Sequence, residues 1–404
     1  MEKIDLVILA GGKGSRIKNF LNNYPKPLLK FNKLFFLDYL IQSYSKYNIE
    51  NIYILCGYKG YQIKKVYEKR TYNLKKIKII IEKKILDTAG ALYGIKKYIK
   101  NDFILTNGDS IFDIDLKNFT KKNLKKNLIR VALINNKFKK NNLKLNNLNI
   151  LQNRKLIFDK KSKFMNSGLY YCSKYLLNFI KYKKLSMEND LVPYLISKKL
   201  IEGKLINTKY FIDIGTPYYY RKASFFLKKY FYKPAVFFDR DNTLIKDNGY
   251  TFKKSDLKFI NNVKKSIRYL NQNNYFVFIV TNQAGIAKGF FSEENFYNFQ
   301  QEMFKQLIKS NSFINDIEYC PYHIKGKIKK FRKLSKLRKP NNKMITNLQQ
   351  KWLINKKKSF MIGDQVSDSI AAKKSNIFFQ FVKKNIFLQV KNLVKKNKIS
   401  LIDT

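Results

Sequence analysis

Two segments of the chain begin with a short apolar run that leads directly into a polar turn. Residues 4–10 read IDLVILA and lead into GGKGSR, and residues 235–238 read AVFF and lead into DRDNT. Continuous apolar strands that are bounded by turn signals and alternate with helical stretches are typical of parallel sheets covered on both faces. Each half is therefore predicted to be an α/β domain with a doubly wound parallel sheet.

The chain length supports this division into halves. At about 100 to 200 residues per domain, 404 residues predict at least two domains. Residues 218–232 are predicted to form a closing helix, and Lys233-Pro234 then favours extended backbone. We place the boundary near residue 230, which gives domains 1–230 and 231–404. A strand is expected at 129–134, inside the Lys- and Asn-rich stretch 117–163, where surface loops are expected to surround it.

The charge of the chain is strongly positive, with 82 Lys and Arg against 28 Asp and Glu and a net charge of +54. Such a charge is typical of proteins that bind nucleic acid or anionic membranes. Lysine is spread over the whole length, however, whereas groove and backbone binding needs basic residues on one face or arm. We expect no nucleic-acid or membrane partner, and a nucleic-acid-binding protein remains the alternative from a different class.

Other features of the composition indicate a folded, cytoplasmic protein. A hydrophobic share of 45% with 15% aromatics excludes a disordered chain. Three distant cysteines, Cys56, Cys172 and Cys320, suggest no disulfide framework and fit a reducing compartment. The first residues are unlike a signal peptide, and no run approaches about 18 apolar residues. The oligomeric state is left open, and a homo-oligomer is compatible with this interpretation.

The turn after the first strand is rich in glycine and is followed by the segment PKPL at residues 25–28. Glycines at the end of a strand let backbone N–H groups approach a polyphosphate, and cationic side chains can neutralise its charge. The predicted nucleotide-binding residues of this region are Gly11, Gly12, Gly14, Ser15, Arg16 and Lys26.

These motifs resemble the sugar-1-phosphate nucleotidyltransferase family over residues 3–220. The family order continues with DTAGAL at 87–92, TNGD at 106–109, NSGLY at 166–170, SMEND at 186–190 and FIDIGTP at 211–217, and Asp87 stands where the family more often has glycine. The resemblance implies that Thr88 and Gly90 contact the nucleotide. It also implies that Asn166 and Glu188 hold the sugar, and that Asp109 and Asp213 bind Mg²⁺.

The chemistry implied for this half is attack by a sugar 1-phosphate oxygen on the α-phosphorus of a nucleoside triphosphate, which expels pyrophosphate. Such a transfer depends on positioning and charge neutralisation more than on covalent catalysis. Arg16 and Lys26, together with Mg²⁺, are the expected catalytic groups.

The second half presents two carboxylates, Asp239 and Asp241, immediately after a strand. This spacing suits a nucleophile followed by a general acid/base, with Mg²⁺ to screen their repulsion. Three later segments add a hydroxyl and an amide, cations, and further acids. The predicted phosphoryl- and substrate-binding residues are Thr281, Asn282, Arg338 and Lys339, and Asp364 lies in the acidic segment GDQVSD at 363–368.

In this order the motifs resemble the haloacid dehalogenase (HAD) superfamily of phosphatases over residues 234 to about 380. More narrowly, DRDNTL, TNQAGIAKGFF, YCPYH, RKP and GDQVSD together resemble heptose 1,7-bisphosphate phosphatases, with histidinol phosphatase a close relative. The resemblance implies that Asp239 is the nucleophile and Asp241 the general acid/base. It also implies that Asp239, the backbone of Asp241 and Asp364 hold Mg²⁺, with Asp368 orienting this set.

One departure from the HAD relatives concerns zinc. Many relatives carry a CxH segment and a later CxC segment before RKP, whereas Tyr322, Ser335 and Leu337 stand at three of those positions here. Cys320 and His323 alone do not complete a tetrahedral site. We therefore expect Mg²⁺ in both domains and no zinc.

Together the two resemblances imply a bifunctional enzyme of nucleotide-activated heptose synthesis. The phosphatase would remove the 7-phosphate of a heptose 1,7-bisphosphate, and its product would be the substrate of the transferase. The motifs do not specify the base. The preference for GTP and for the α anomer therefore comes from pathway logic alone. The alternatives are the same two chemistries on another sugar, such as mannose 1-phosphate, or an ADP-heptose-type enzyme.

Overall fold

The computed structural model describes residues 3–121, 123–138, 148–151, 154–159 and 161–399. The chain divides into two compact units. We call the first the N-terminal unit, comprising Glu2–Thr71 and Lys75–Leu227, and the second the C-terminal unit, comprising Tyr72–Leu74 and Lys228–Thr404 with Met1. The boundary at residue 230, as a limit between independently folding domains, stays a prediction.

Fourteen strands and six helices precede residue 232 among the described residues. The strands are β1 (Ile4–Leu9), β2 (Lys30–Phe31), β3 (Leu34–Phe35), β4 (Ile49–Cys56), β5 (Thr71–Tyr72), β6 (Lys75–Ile81), β7 (Phe103–Asn107), β8 (Ser110–Phe112), β9 (Ile129–Asn135), β10 (Leu148–Ile150), β11 (Leu156–Phe158), β12 (Phe164–Cys172), β13 (Ile201–Leu205) and β14 (Phe211–Asp213). The helices are α1 (Phe36–Tyr44), α2 (Gly60–Tyr67), α3 (Asp87–Gly90), α4 (Leu116–Phe119), α5 (Val192–Ser197) and α6 (Pro217–Phe231).

The main sheet here has eight strands in the order β13-β9-β12-β7-β1-β4-β6-β5. The apolar run of β1 lies near the centre, where Leu6, Val7 and Ile8 have no exposed surface and pair in parallel with β4 and β7. Parallel neighbours require both faces to be covered, which explains the continuous apolar run. The ends of β1 and β7 consequently lie side by side, with the polar segments that follow them.

Strand β12 departs from the parallel arrangement of β1, β4, β6 and β7. β12 runs antiparallel to both β7 and β9, and its register with β9 shifts between Asn166 and Tyr170. The α/β prediction is confirmed, with this reversed strand as a refinement. The expected strand at 129–134 is β9, and the expected helix at 218–232 is α6. Parts of the Lys- and Asn-rich stretch, at residues 122, 139–147, 152–153 and 160, lie outside the described residues.

The C-terminal unit has a second sheet, with five strands that are all parallel and in the order β17-β16-β15-β18-β19. Its strands are β15 (Ala235–Phe238), β16 (Phe276–Asn282), β17 (Asp316–Cys320), β18 (Phe360–Gly363) and β19 (Phe378–Phe381). Its helices are α7 (Val263–Gln272), α8 (Ala284–Lys288), α9 (Glu293–Lys309), α10 (Lys343–Lys351), α11 (Val366–Lys374) and α12 (Ile386–Ile399).

The predicted strand at 235–238 is therefore β15, the central strand of this sheet, and all four of its residues are buried. Because β15 lies between β16 and β18, the segments after these three strands meet at one edge of the sheet. Within the described part of the chain, no helix combines the length and apolar character needed to cross a bilayer.

Candidate active sites

The glycine-rich segment follows β1 and turns sharply at Gly14. Gly14 has a φ of 70°, a left-handed conformation that favours glycine. A Cβ atom there would lie 3.0 Å from side-chain atoms of both Leu21 and Lys26, so the turn also needs the absence of a side chain. Ser15 begins a short 3-10 turn, and Ser15 and Arg16 are exposed beside the loop.

Lys26 and two acids from distant parts of the chain come together near this turn. Lys26 Nζ lies 2.7 Å from Asp109 Oδ2. The backbone N–H of Ile214 donates to the carbonyl of Asp109, and β14 pairs with β8 so that Asp213 faces Ser110. A Cβ atom on Gly215 would lie within 3.2 Å of Asp109 Oδ2, Asp213 Oδ1 and Lys26 Nζ. Three of the predicted site residues therefore surround one glycine.

The two carboxyls of this cluster have opposite electrostatics. Burial opposes ionisation of Asp109, but the positive charges of Lys26 and Arg16 outweigh it and lower the pKa of this carboxyl. Burial, followed by repulsion from Asp109, raises the pKa of Asp213 to about 6. A pair of carboxylates that repel each other in this way is a donor set that suits a hard divalent cation.

The segment predicted to contact nucleotide and sugar is joined by hydrogen bonds across about a hundred residues. Thr88 Oγ1 donates to Glu188 Oε2 at 3.1 Å and accepts from the backbone N–H of Met187 at 2.7 Å. A Cβ atom on Gly90 would lie 2.6 Å from the carbonyl oxygen of Lys183, so only glycine fits. Asp87 has a φ of 66° and adopts the left-handed conformation that its replacement of glycine requires.

Glu188 is only partly exposed. Burial raises the pKa of this carboxyl, and the negative charges of Asp87 and Asp109 add to the effect. A hydroxyl group that donates a hydrogen bond to this carboxylate, or a cation beside it, would stabilise its ionised form.

The structure shows two residues near the predicted sugar-binding Asn166 that the sequence did not indicate, Tyr170 and Asn107. Asn166 holds the bulge of β12, because its Oδ1 accepts from the N–H of Gly168 and its Nδ2 donates to the hydroxyl of Tyr170. Gly168 has a φ of 78°, and a Cβ atom there would lie 2.5 Å from Asn107 Nδ2. The motif NSGLY contained Tyr170 and TNGD contained Asn107, but neither motif indicated that the two segments touch.

In the C-terminal unit, a buried lysine joins two acids. Lys339 Nζ contacts Asp239 Oδ1, lies 2.6 Å from Asp368 Oδ1 and donates to the carbonyl of Val280 at 2.8 Å. Asn282 accepts from the backbone N–H of Lys339 and donates to its carbonyl, so this amide fixes the lysine backbone. Phosphoryl binding by Asn282 itself stays a prediction.

Asp239, Asp364 and Asp368 each offer an oxygen within 4.8 Å of the other two. Burial raises the pKa of Asp239 to about 7; Lys339 opposes this shift, while Asp368 and Asp241 add to it. Three crowded acids with one lysine fit a divalent cation held by oxygen ligands. Asp239 and Asp364 were predicted for this role, and the structure adds the carboxylate of Asp368 to the set.

Asp241 is not one of these three acids and is held by its own neighbours. Oδ1 accepts from Arg240 Nε at 2.9 Å, and Oδ2 accepts from Gln283 Nε2 at 2.8 Å. Gln283 Nε2 also donates to Thr281 Oγ1 at 2.9 Å. Gln283 was not among the predicted site residues, although it follows Asn282 directly in the motif TNQ.

The loop for which the sequence predicted no zinc contains Cys320, Tyr322, Ser335 and Leu337. The Cys320 thiol lies 3.8 Å from the carbonyl oxygen of Tyr322, and burial raises its pKa. Ser335 and Leu337 supply no thiolate. The residues present do not fit a zinc site, and Arg338, at the end of this loop, has a buried Nη1 without a hydrogen-bond partner among the described residues.

Comparison with known proteins finds two families in the two halves. Residues 6–143 match the family described as Nucleotidyl transferase, and residues 234–394 match the family described as Polynucleotide kinase 3 phosphatase. Among curated proteins, the D-glycero-beta-D-manno-heptose-1,7-bisphosphate 7-phosphatase of Rhodopseudomonas palustris is 35% identical over 163 residues, which is 40% of this chain and 91% of that protein.

Two further matches cover the halves separately. The Salmonella typhi phosphatase of the same name is 35% identical over 144 residues, which is 36% of this chain and 77% of its own length. The crystal structure of HddC from Yersinia pseudotuberculosis is 29% identical, with a TM-score of 0.48, and covers 56% of this chain and 100% of that one.

Proposed function

We propose that this chain catalyses two consecutive steps of heptose activation. Its C-terminal half belongs to the D-glycero-beta-D-manno-heptose-1,7-bisphosphate 7-phosphatase family, and its N-terminal half is a nucleotidyltransferase domain. The observation that carries the proposal is the 35% identity to a heptose bisphosphate phosphatase over 91% of its length. A phosphatase that leaves a sugar 1-phosphate makes the substrate class that a nucleotidyltransferase consumes. Cytoplasmic location is part of this proposal.

In the phosphatase step, an Asp239 oxygen attacks the phosphorus of the 7-phosphate and the bond to the sugar oxygen breaks. Asp241 donates a proton to the departing oxygen. Water, deprotonated by Asp241, then attacks the aspartyl phosphate and releases inorganic phosphate. Lys339, with Thr281 and Arg338 beside it, neutralises and orients the phosphoryl oxygens. Asp239, the Asp241 backbone and Asp364, with Asp368 close to them, would hold Mg²⁺, which supplies charge neutralisation when bound.

In the transferase step, the sugar 1-phosphate oxygen attacks the α-phosphorus of the nucleoside triphosphate and pyrophosphate leaves. The glycines of the first loop bring backbone N–H groups close to the phosphates, and Arg16 and Lys26 balance their charge. Thr88 and Gly90 line the nucleotide side, while Glu188 and Asn166 lie on the sugar side. Asp109 and Asp213 would hold Mg²⁺, which supplies charge neutralisation at the phosphates when bound.

GTP is the nucleotide we propose on the grounds of pathway logic, since the motifs do not specify the base. The curated relatives are named for the β anomer of the bisphosphate, so both anomers belong in the test. Pyrophosphate release is to be measured for GTP, ATP, CTP and UTP against heptose, mannose and glucose 1-phosphates. We expect GTP with a heptose 1-phosphate to have the highest kcat/KM.

Variants separate the parts of this proposal. Lys26→Met and Arg16→Met should reduce turnover with every pair, because both cations serve the shared phosphates, whereas Glu188→Ala should weaken discrimination between sugars. A preference of tenfold, about 1.4 kcal/mol, for mannose 1-phosphate with GTP would contradict the heptose assignment. A clear preference for ATP would contradict the guanylyl assignment and favour the ADP-heptose alternative.

A further inference from the structure

The general acid/base Asp241 is held on both of its oxygens. Arg240 Nε donates to Oδ1, and Arg240 Nη2 lies 2.7 Å from the same oxygen. On the other side Gln283 Nε2 donates to Oδ2. A carboxylate has about four lone-pair sites, and the two guanidinium nitrogens crowd those of Oδ1. Oδ2 is therefore the oxygen that can carry the proton for the leaving group.

The Arg240 side chain, which holds Oδ1 of Asp241, is itself tightly packed. The Arg240 side chain is 1% exposed, and its guanidinium carbon lies 5.1 Å from the ring centroid of Phe299 and 5.7 Å from that of Phe296. Arg240 Nη2 also donates to the carbonyl of Thr251 at 3.1 Å. Arg240 therefore holds one oxygen of Asp241, and a donor to Oδ2 is needed as well to fix the carboxylate plane against rotation about the Cβ–Cγ bond.

Gln283 supplies the donor that holds Oδ2 of Asp241. It is 3% exposed, and its backbone N–H donates to the carbonyl of Cys320 at the end of β17. Its amide nitrogen has two donors, and both are used, one on Asp241 Oδ2 and one on Thr281 Oγ1. With Asp241 ionised, the amide orientation is determined, because the opposite flip would place Gln283 Oε1 against a carboxylate oxygen.

We propose that Gln283 is a positioning residue that aims Oδ2 of Asp241 at the leaving-group oxygen and links it to the phosphoryl-binding hydroxyl of Thr281. Thr281 is fully buried and accepts from Gln283, so its own proton is available to a phosphoryl oxygen. One amide group therefore contacts both the residue that protonates the leaving oxygen and the residue that binds the phosphoryl group. The inference rests on the phosphatase activity of the proposed function and not on which sugar carries the phosphate.

The reaction step on which Gln283 acts can be isolated chemically. When Asp239 attacks phosphorus, a sugar alkoxide needs the Asp241 proton as its bond to phosphorus breaks, whereas p-nitrophenolate is stable enough to leave without it. The value of kcat/KM reports the steps up to the first irreversible one. The ratio of kcat/KM for heptose 1,7-bisphosphate to kcat/KM for p-nitrophenyl phosphate therefore measures leaving-group protonation.

We expect Gln283→Leu to lower this ratio by about tenfold or more, and a smaller fall overturns the proposal. Gln300→Leu is the matched control, because Gln300 is fully buried in α9 and neither amide atom has a hydrogen-bond partner among the residues described. That control should keep the ratio of the unmodified chain. A general loss of stability would lower both activities together and leave the ratio unchanged.

A second measurement tests whether Gln283 acts through Asp241. In an Asp241→Asn background the substitution Gln283→Leu should not lower the ratio further, because the proton donor is already absent. A further fall in that background overturns the proposal. Gln283→Met replaces Gln283→Leu if the latter does not fold. If the unmodified enzyme does not hydrolyse the heptose bisphosphate, the proposed sugar fails, and fructose 1,6-bisphosphate supplies the alkyl phosphate for the same ratio.

Discussion

Asp213 is a carboxyl whose environment makes its ionisation less favourable than that of an exposed aspartate. Burial and the nearby charge of Asp109 raise its pKa to about 6, although the backbone N–H of Gly215 donates to it at 2.8 Å. In the unfolded chain its pKa lies near 3.8. Above pH 6 this carboxyl is ionised in both states, and the folded state alone carries the electrostatic penalty.

We predict that Asp213→Asn raises the free energy of unfolding by about 3 kcal/mol at pH 8 in metal-free buffer. Below pH 4 the carboxyl is protonated in both states, so the gain should shrink as the pH falls from 6 to 4. Urea unfolding of both proteins in EDTA at pH 8 and pH 4 gives the comparison. An equal gain at both pH values would show that burial and charge at Asp213 are not its cause.

The loop between β17 and α10 is held by packing and hydrogen bonds among its own residues. The rings of Tyr322 and Phe331 have centroids 6.1 Å apart, and Lys333 Nζ lies 4.3 Å from the Tyr322 centroid. The N–H of His323 also donates to the carbonyl of Phe331. These contacts join the start of the loop to its middle by packing and backbone hydrogen bonding, without a metal ion.

Two measurements test this description of the loop. Elemental analysis of protein purified without added metal should find no stoichiometric zinc, and a zinc-selective chelator in the presence of excess Mg²⁺ should not lower the thermal stability of the C-terminal unit. Phe331→Ala should reduce its stability by about 1–2 kcal/mol, because the ring contact is lost. Leu334→Ala is the control: Leu334 is 85% exposed, so this substitution should not change the stability. Stoichiometric zinc, or an unchanged Phe331→Ala variant, would contradict the description.

The chain as a whole carries two sets of predicted site residues, one in each unit. Lys26, Asp109 and Asp213 meet in the N-terminal unit, whereas Asp239, Lys339 and Asp368 meet in the C-terminal unit. No side chain is shared between the two sets.

We therefore predict that Asp239→Asn abolishes phosphate release, by at least about 10³-fold, and leaves pyrophosphate release from a supplied sugar 1-phosphate within about twofold of the unmodified chain. The reciprocal variant Lys26→Met should retain phosphate release. Both reactions are measured on the full chain, with circular dichroism to verify folding. Loss of both activities in a folded Asp239→Asn protein would refute independent sites.

The strands that carry both sites were predictable from local pattern. A buried parallel strand must be apolar on both faces, so β1 and β15 stand out as continuous runs, and the polar residues after them are found without any knowledge of the fold. The acids and cations predicted from these motifs do assemble, as Lys26 with Asp109 and Lys339 with Asp239 show. Their roles in catalysis stay predictions.

Tertiary structure decided what depends on long-range pairing. The antiparallel insertion of β12 follows from which strands meet, because a strand's apolar pattern does not encode its direction. Likewise, the clamp of Arg240 and Gln283 on Asp241 requires β15 and β16 to lie side by side, since Gln283 is 42 residues away along the chain. A motif selects residue types at strand ends, but only packing brings the ends of separate strands within hydrogen-bonding distance.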